Sequence, residues 1–213
     1  MRDLETIARA CHLEQERIRD LRLAIWTSGG LVEPVCKGVD LKPLTFQAAI
    51  DLYFAENPLL TGGEIDAEQC ILYLWRNAAQ YRTGDQKALD AVVAACLKLT
   101  AARMVAVCKQ HVINAFFDVP VRGGRSSSSE LPAVEPLIAI VEEMAARYGL
   151  DPEKVLGWPV ARGYALQRAA YLRTIPEYSP PIPKTLFDLR NLYAEELTRQ
   201  MGAIGEEGTD DAE

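Results

Sequence analysis

The 213-residue chain has only two histidines, His12 and His111. That scarcity limits acid–base chemistry at neutral pH, where imidazole is the side chain that titrates. No stretch reaches the roughly 18 consecutive apolar residues that crossing a bilayer requires, so no membrane span is expected. The opening MRDLETIARA carries charge throughout and has no apolar core segment, which argues against a secretory signal. A cytoplasmic location is the expectation. Basic charge is in deficit: 23 Lys plus Arg against 30 Asp plus Glu leave a formal charge of −7. Nucleic acid and anionic membrane both select basic excess at the contact, so neither is an expected partner. Walker A, GxSxG, Rossmann and EF-hand signatures are missing. No cofactor, metal or enzymatic activity is expected.

Two side chains that carry chemistry stand close in sequence. Cys108 and His111 are three apart, on one face of a helix. Zinc needs about four ligands, and no second CxxC or HxxxH pair supplies them. As nucleophile and base the same two residues lack a third, orienting group. The five cysteines, Cys11, Cys36, Cys70, Cys96 and Cys108, are an odd, widely spaced set. In a reducing cytosol they read as free thiols packed as small hydrophobes.

What the chain does have is helical patterning. About half its residues are apolar (49%) and a quarter charged (25%), ordinary for a globular protein of this length. Residues 44–81 organise the rest. Thr45 caps a helix from Phe46 whose apolar face is Phe46, Ala49, Ile50, Tyr53 and Phe54. Asn57-Pro58 stops it, since the residue before proline is pushed out of the α region. Leu59 and Leu60 turn inward, and Thr61-Gly62-Gly63 makes a turn. Asp66 and Gln69 form a capping box for a second helix carrying Ile71, Leu72, Leu74, Trp75 and Ala78. Phosphate binding at the Gly-Gly turn is disfavoured by the flanking Glu64 and Asp66.

Residues 3–25 read as a helix, with a break expected near Cys11-His12-Leu13. The fragment TIARACHLEQERIRDLR faintly resembles a DNA-reading helix-turn-helix, but its carboxylates interleave with its arginines. A salt-bridged surface helix is the favoured reading. Val35, Val39 and Leu41 alternate, as in a short hairpin within 31–42. Residues 86–117 form the longest periodic segment, with a broad apolar face for several neighbours. The stretch 118–132, DVPVRGGRSSSSELP, is the linker signal. It divides an N-terminal helical domain, 1–117, from a C-terminal helical module, 133–202. Helices at 133–148 and 160–175 flank a short one after Asp151-Pro152. Thr185 caps the last helix, and 203–213 reads as a disordered acidic tail. The fold class is all-α: an irregular bundle of about seven helices with the short hairpin.

The best candidate for a partner-binding surface is Arg162, Tyr164, Arg168, Tyr171 and Arg173. Tyr and Arg are favoured at interface hot spots. The competing reading puts the tyrosines in the core and leaves the arginines solvated.

Two blocks carry a family resemblance. LTFQAAIDLYFAENPLLTGGEIDAEQCILYLWRNAAQY resembles a helix–turn–helix block of small phage-encoded proteins. IVEEMAARYGLDPEKVLGWPVARGYALQRAAYL is similar to the helical modules of phage tail assembly chaperones and their neighbours in tail gene clusters. The resemblance implies a non-catalytic assembly factor that binds a helical tape-measure-type or tail-tube-type protein in the host cytoplasm. Such a partner's amphipathic helix would be shielded in a groove between helices. The alternatives are a structural virion or head–tail component, and an enzyme whose site carries no motif. The sequence leaves the oligomeric state open.

Overall fold

The computed structural model describes residues 3–28, 32–117, 134–175 and 183–207. These form ten helices and one two-stranded sheet, so the fold is all-α. In chain order the elements are α1 (Leu4–Ser28), β1 (Glu33–Cys36), β2 (Val39–Leu41), α2 (Phe46–Phe54), α3 (Pro58–Thr61) and α4 (Ala67–Asn77). Then follow α5 (Gln86–Cys96), α6 (Ala101–Ala115), α7 (Val134–Tyr148), α8 (Pro152–Leu156), α9 (Val160–Thr174) and α10 (Lys184–Glu207).

Local capping chemistry sets most helix starts. The Thr45 side chain accepts from the Ala48 amide, and Asp66 and Gln69 make the reciprocal capping box. Asn57 does more than stop α2. It caps α3 through the Leu59 amide and donates its own side-chain amide to the Gln69 carbonyl at 3.1 Å. The hairpin forms as its alternation predicts, with Val35, Val39 and Leu41 buried. The turn at Gly38 takes φ 88°, which glycine adopts without a Cβ clash.

Several expectations are corrected. Residues 86–117 are two helices, α5 and α6, bent by 115°. The break has a local cause, because Thr100 accepts from the Arg103 amide and so opens a new helix. α1 runs unbroken through Cys11-His12-Leu13. The last helix starts at Lys184, and Thr185 bonds Glu14 of α1 instead of capping. Helix α10 extends to Glu207, into the stretch read as a disordered tail; residues 208–213 lie outside the described ones, as does the 118–132 linker. The apolar faces of α2 and α4 are also rotated. α2 buries Phe46, Ala48, Ala49 and Leu52 and leaves Phe54 exposed. α4 buries Cys70, Tyr73, Leu74 and Asn77 and leaves Leu72 exposed.

The two portions flanking 118–132 share one core. Phe46, Leu52, Tyr73 and Leu74 sit in the same cluster as Met144, Val155, Val160 and Tyr164. Backbone bonds cross between them: the Phe46 amide donates to Trp158 (3.0 Å) and the Val160 amide to Leu44 (2.9 Å). Gly163 of α9 makes the approach close, since a Cβ there would lie 2.4 Å from Phe46 Cζ. A second, smaller cluster joins Ile18, Leu21 and Ile25 of α1 to Phe117, Ala161, Ala165 and Leu186. Through it α1 and α10 lie as an outer layer on the main core. No single helix among the described residues is long and apolar enough to cross a membrane. The bent α5–α6 pair meets the length and composition criteria together, but both helices bury side chains in the main core.

Candidate interaction surface

The Cys108 and His111 side chains are turned inward. His111 is buried between α4 and the hairpin. Its Nε2 lies 2.9 Å from the Lys42 carbonyl, which can only accept, so Nε2 carries the proton. Nδ1 then accepts from the Tyr73 hydroxyl at 2.6 Å. Burial holds the imidazole below its ordinary range and the Tyr73 hydroxyl well above its own. Both nitrogens of His111 are thus engaged by groups other than Cys108. The Cys108 thiol, buried and 3.9 Å from the Cys70 carbonyl, is pushed far up by desolvation. A protonated thiol beside an engaged imidazole is a poor nucleophile. Cys70 and Cys96 are also buried, and burial pushes Cys96 up to about 11; all five cysteines are free.

Beside His111 is a cleft of about 30 Å³, lined in part by Leu21, Glu33, Leu44, Asn114 and Pro159. That volume holds about two waters. A polar relay passes it. Glu14 takes a two-pronged bond from Arg17 (2.6 and 2.7 Å), and Arg17 reaches Asn114, which donates to Glu33 at 2.6 Å. The Arg17 bond lowers the Glu14 pKa despite partial burial. The relay ties α1 to α6 and β1. Among the described residues no three His, Cys, Asp or Glu side chains converge on a metal-sized space.

The proposed Arg–Tyr set on α9 is divided by the fold. Tyr164 lies in the core against Phe116, their ring centroids 6.3 Å apart, and burial pushes its hydroxyl up to about 12. It is not part of the surface. Arg168 and Tyr171 are half-buried and engaged by neighbours. Arg173 is exposed in the last turn of α9. Arg162 belongs to a different constellation. Its guanidinium stands over the Trp158 ring at 4.7 Å, and Tyr148 flanks the same ring at 6.4 Å.

Each member of this ladder is positioned by a local feature. Tyr148 ends α7, and Gly149 turns the chain with φ 61°, which suits glycine. Asp151 and Pro152 start the short α8. Trp158 leads into α9, where Arg162 follows four residues later, one helical turn on. The Trp158 backbone is fixed by its bond to Phe46, so the ring stands on the main core. Tyr148 is 45% exposed, and Trp158 and Arg162 are half-buried. Sequence reading missed Trp158 and Tyr148. The Trp158–Arg162 spacing was the available signal.

No family model, curated protein or solved structure matches the chain.

Proposed function

We propose that the protein is a non-catalytic phage assembly factor, a tail assembly chaperone acting in the host cytoplasm on a helical tape-measure-type or tail-tube-type protein. The reading rests on the resemblance of the two helical blocks. The single observation that supports it is the Tyr148–Trp158–Arg162 ladder. Trp, Tyr and Arg are the residue types that dominate protein–protein contact energy, and here they stand partly open on a rigid base. A cation stacked on Trp also presents a flat face against which a partner helix can lie. The chemistry-bearing residues around His111 serve packing, which leaves the surface as the place where this chain meets others.

The test is co-expression with a long, helical tape-measure-type protein. Recovery of that partner in the soluble fraction, lost on Trp158→Ala with Arg162→Ala, is the expected result. No recovery with the intact chain sinks the chaperone reading. Stoichiometric recovery of the chain from purified particles would favour the structural virion component instead.

A further inference from the structure

Helix α2 ends in a conformation that its residue does not favour. The Glu56 amide donates to the Tyr53 carbonyl at 2.9 Å, and the Asn57 amide to the Leu52 carbonyl at 3.0 Å. These are the two bonds of a Schellman helix end, whose left-handed position is usually glycine. Here it is Glu56, at φ 52°, the only non-glycine with positive φ among the described residues. Glycine takes this backbone without a Cβ clash, so a glutamate here costs stability. Strain of this kind is kept where the side chain has a use at that place.

Glu56 lines a groove of about 450 Å³ together with Tyr53, Phe54 and Thr61. The Tyr53 and Phe54 rings stand nearly perpendicular, centroids 6.2 Å apart, and Phe54 is 68% exposed. The Thr61 hydroxyl donates to the Asn57 carbonyl at 3.2 Å, which leaves its lone pairs to accept. The Glu56 carboxylate only accepts, and no side chain among the described residues pairs with it. Of the lining groups, only the Tyr53 phenol has a proton left to give. Aromatic faces beside a carboxylate select a cation that donates. The formal charge of −7 draws such a group from a distance. The same helix shows this chemistry complete elsewhere: Arg76 bonds Asp51 of α2 and stands over the Tyr81 ring at 4.6 Å. The groove repeats the ring and the carboxylate. A guanidinium suits both at once, since it lies flat on a ring while its fork of N–H groups meets an acceptor.

We infer that the groove formed by Tyr53, Phe54, Glu56 and Thr61 receives an arginine side chain of a protein partner. The guanidinium stacks in the aromatic corner and donates to the Glu56 carboxylate and to Thr61 Oγ. The groove lies at the end of α2, whereas Trp158 bonds its start, so the inference does not rest on the assembly-factor reading. One side chain makes a small contact, and an isolated arginine should bind with a dissociation constant of about 1–10 mM.

The probe is N-acetylarginine amide, titrated into the full chain at constant ionic strength while the Tyr53 and Phe54 ring resonances are followed. Saturable shifts are expected. N-acetylcitrulline amide, the uncharged isostere, should bind at least about tenfold more weakly. The lysine analogue should bind at least about threefold more weakly, because an ammonium neither stacks nor forks. Glu56→Gln should lose about tenfold in affinity. Glu56→Gly should lose as much and yet raise the denaturation midpoint, since glycine relieves the left-handed backbone. No ring shifts up to about 50 mM arginine amide overturn the inference. So does equal binding of the citrulline or lysine analogue, and so does full binding by either variant. A Glu56→Gly midpoint below the native one also overturns it, because Glu56 would then be serving the fold.

Discussion

The main core and the α1/α10 layer are built by opposite means. In the core, α9 presses on α2 so closely that Gly163 leaves no room for a methyl group against Phe46. Phe46, Tyr73, Leu74 and Val160 there are wholly or almost wholly shut off from solvent. In the layer, Leu186 is the one buried side chain among the described positions of α10, and it keeps some exposure. Phe187, Leu192, Tyr193, Leu197 and Met201 of the same helix remain open. What seats α10 is partly polar, through Thr185 on the Glu14–Arg17 pair. Dense packing fixes geometry because each side chain is held from all sides. A lightly seated helix keeps apolar surface for later use, at a small cost in local stability.

The contrast can be broken most severely at its tight end. Phe46→Ala empties a closed site and should cost roughly 4 kcal/mol, read from chemical denaturation. Gly163→Val drives a branched side chain into Phe46 and should cost roughly 3 kcal/mol. An equal and small effect at both positions would mean that α9 does not press on α2. Leu186→Ala, the corresponding cut in the layer, should cost about 2 kcal/mol or less, because that site opens to water. It should also raise amide exchange in α10 while leaving α4 protected. Phe187→Ser, at an open position of α10, should shift folding stability by less than about 0.5 kcal/mol.

The core should also respond to acid where the layer does not. Burial lowers the His111 pKa from its ordinary 6.5, so the folded state binds that proton less readily than the unfolded state. Stability is then complete above the unfolded value and falls as pH drops below it. Glu14, at the layer contact, has a lowered carboxyl pKa and loses its contribution only in the more acid carboxylate range. Denaturation midpoints between pH 7 and pH 5 should therefore fall for the native chain and stay level for His111→Gln. A fall of the same size in both would place the sensitive group elsewhere.

What could be read from sequence was local. The caps at Thr45 and Asp66, the glycine turns and the hairpin alternation act over a few residues, and each formed as expected. The faces of α2 and α4 could not be phased, because apolar residues surround both helices and distant packing chooses among them. Tyr73 and Asn77 are buried because of what α6 and the hairpin offer them. His111 meets Tyr73 across 38 positions and the Lys42 carbonyl across 69, and no spacing rule reaches that far. The break at Thr100 was legible as a capping residue but was masked by continuous apolar periodicity. On the surface, the Arg–Tyr set mixed a core tyrosine with arginines of differing roles, since composition does not report which side of a helix faces out.

The bridge at Thr45 and Pro159 sets an order for synthesis. The partners are 159 − 45 = 114 positions apart, so α2 emerges from the ribosome well before the segment that covers it. At about 10 residues per second the delay is roughly ten seconds. Through that interval Phe46 has no α9 to rest on, and the N-terminal portion cannot complete its packing. The chain is thus bound to finish folding late, from its C-terminal portion back onto its beginning. A stop codon placed after residue 117 should yield a product that aggregates or is degraded, although it contains six of the ten helices.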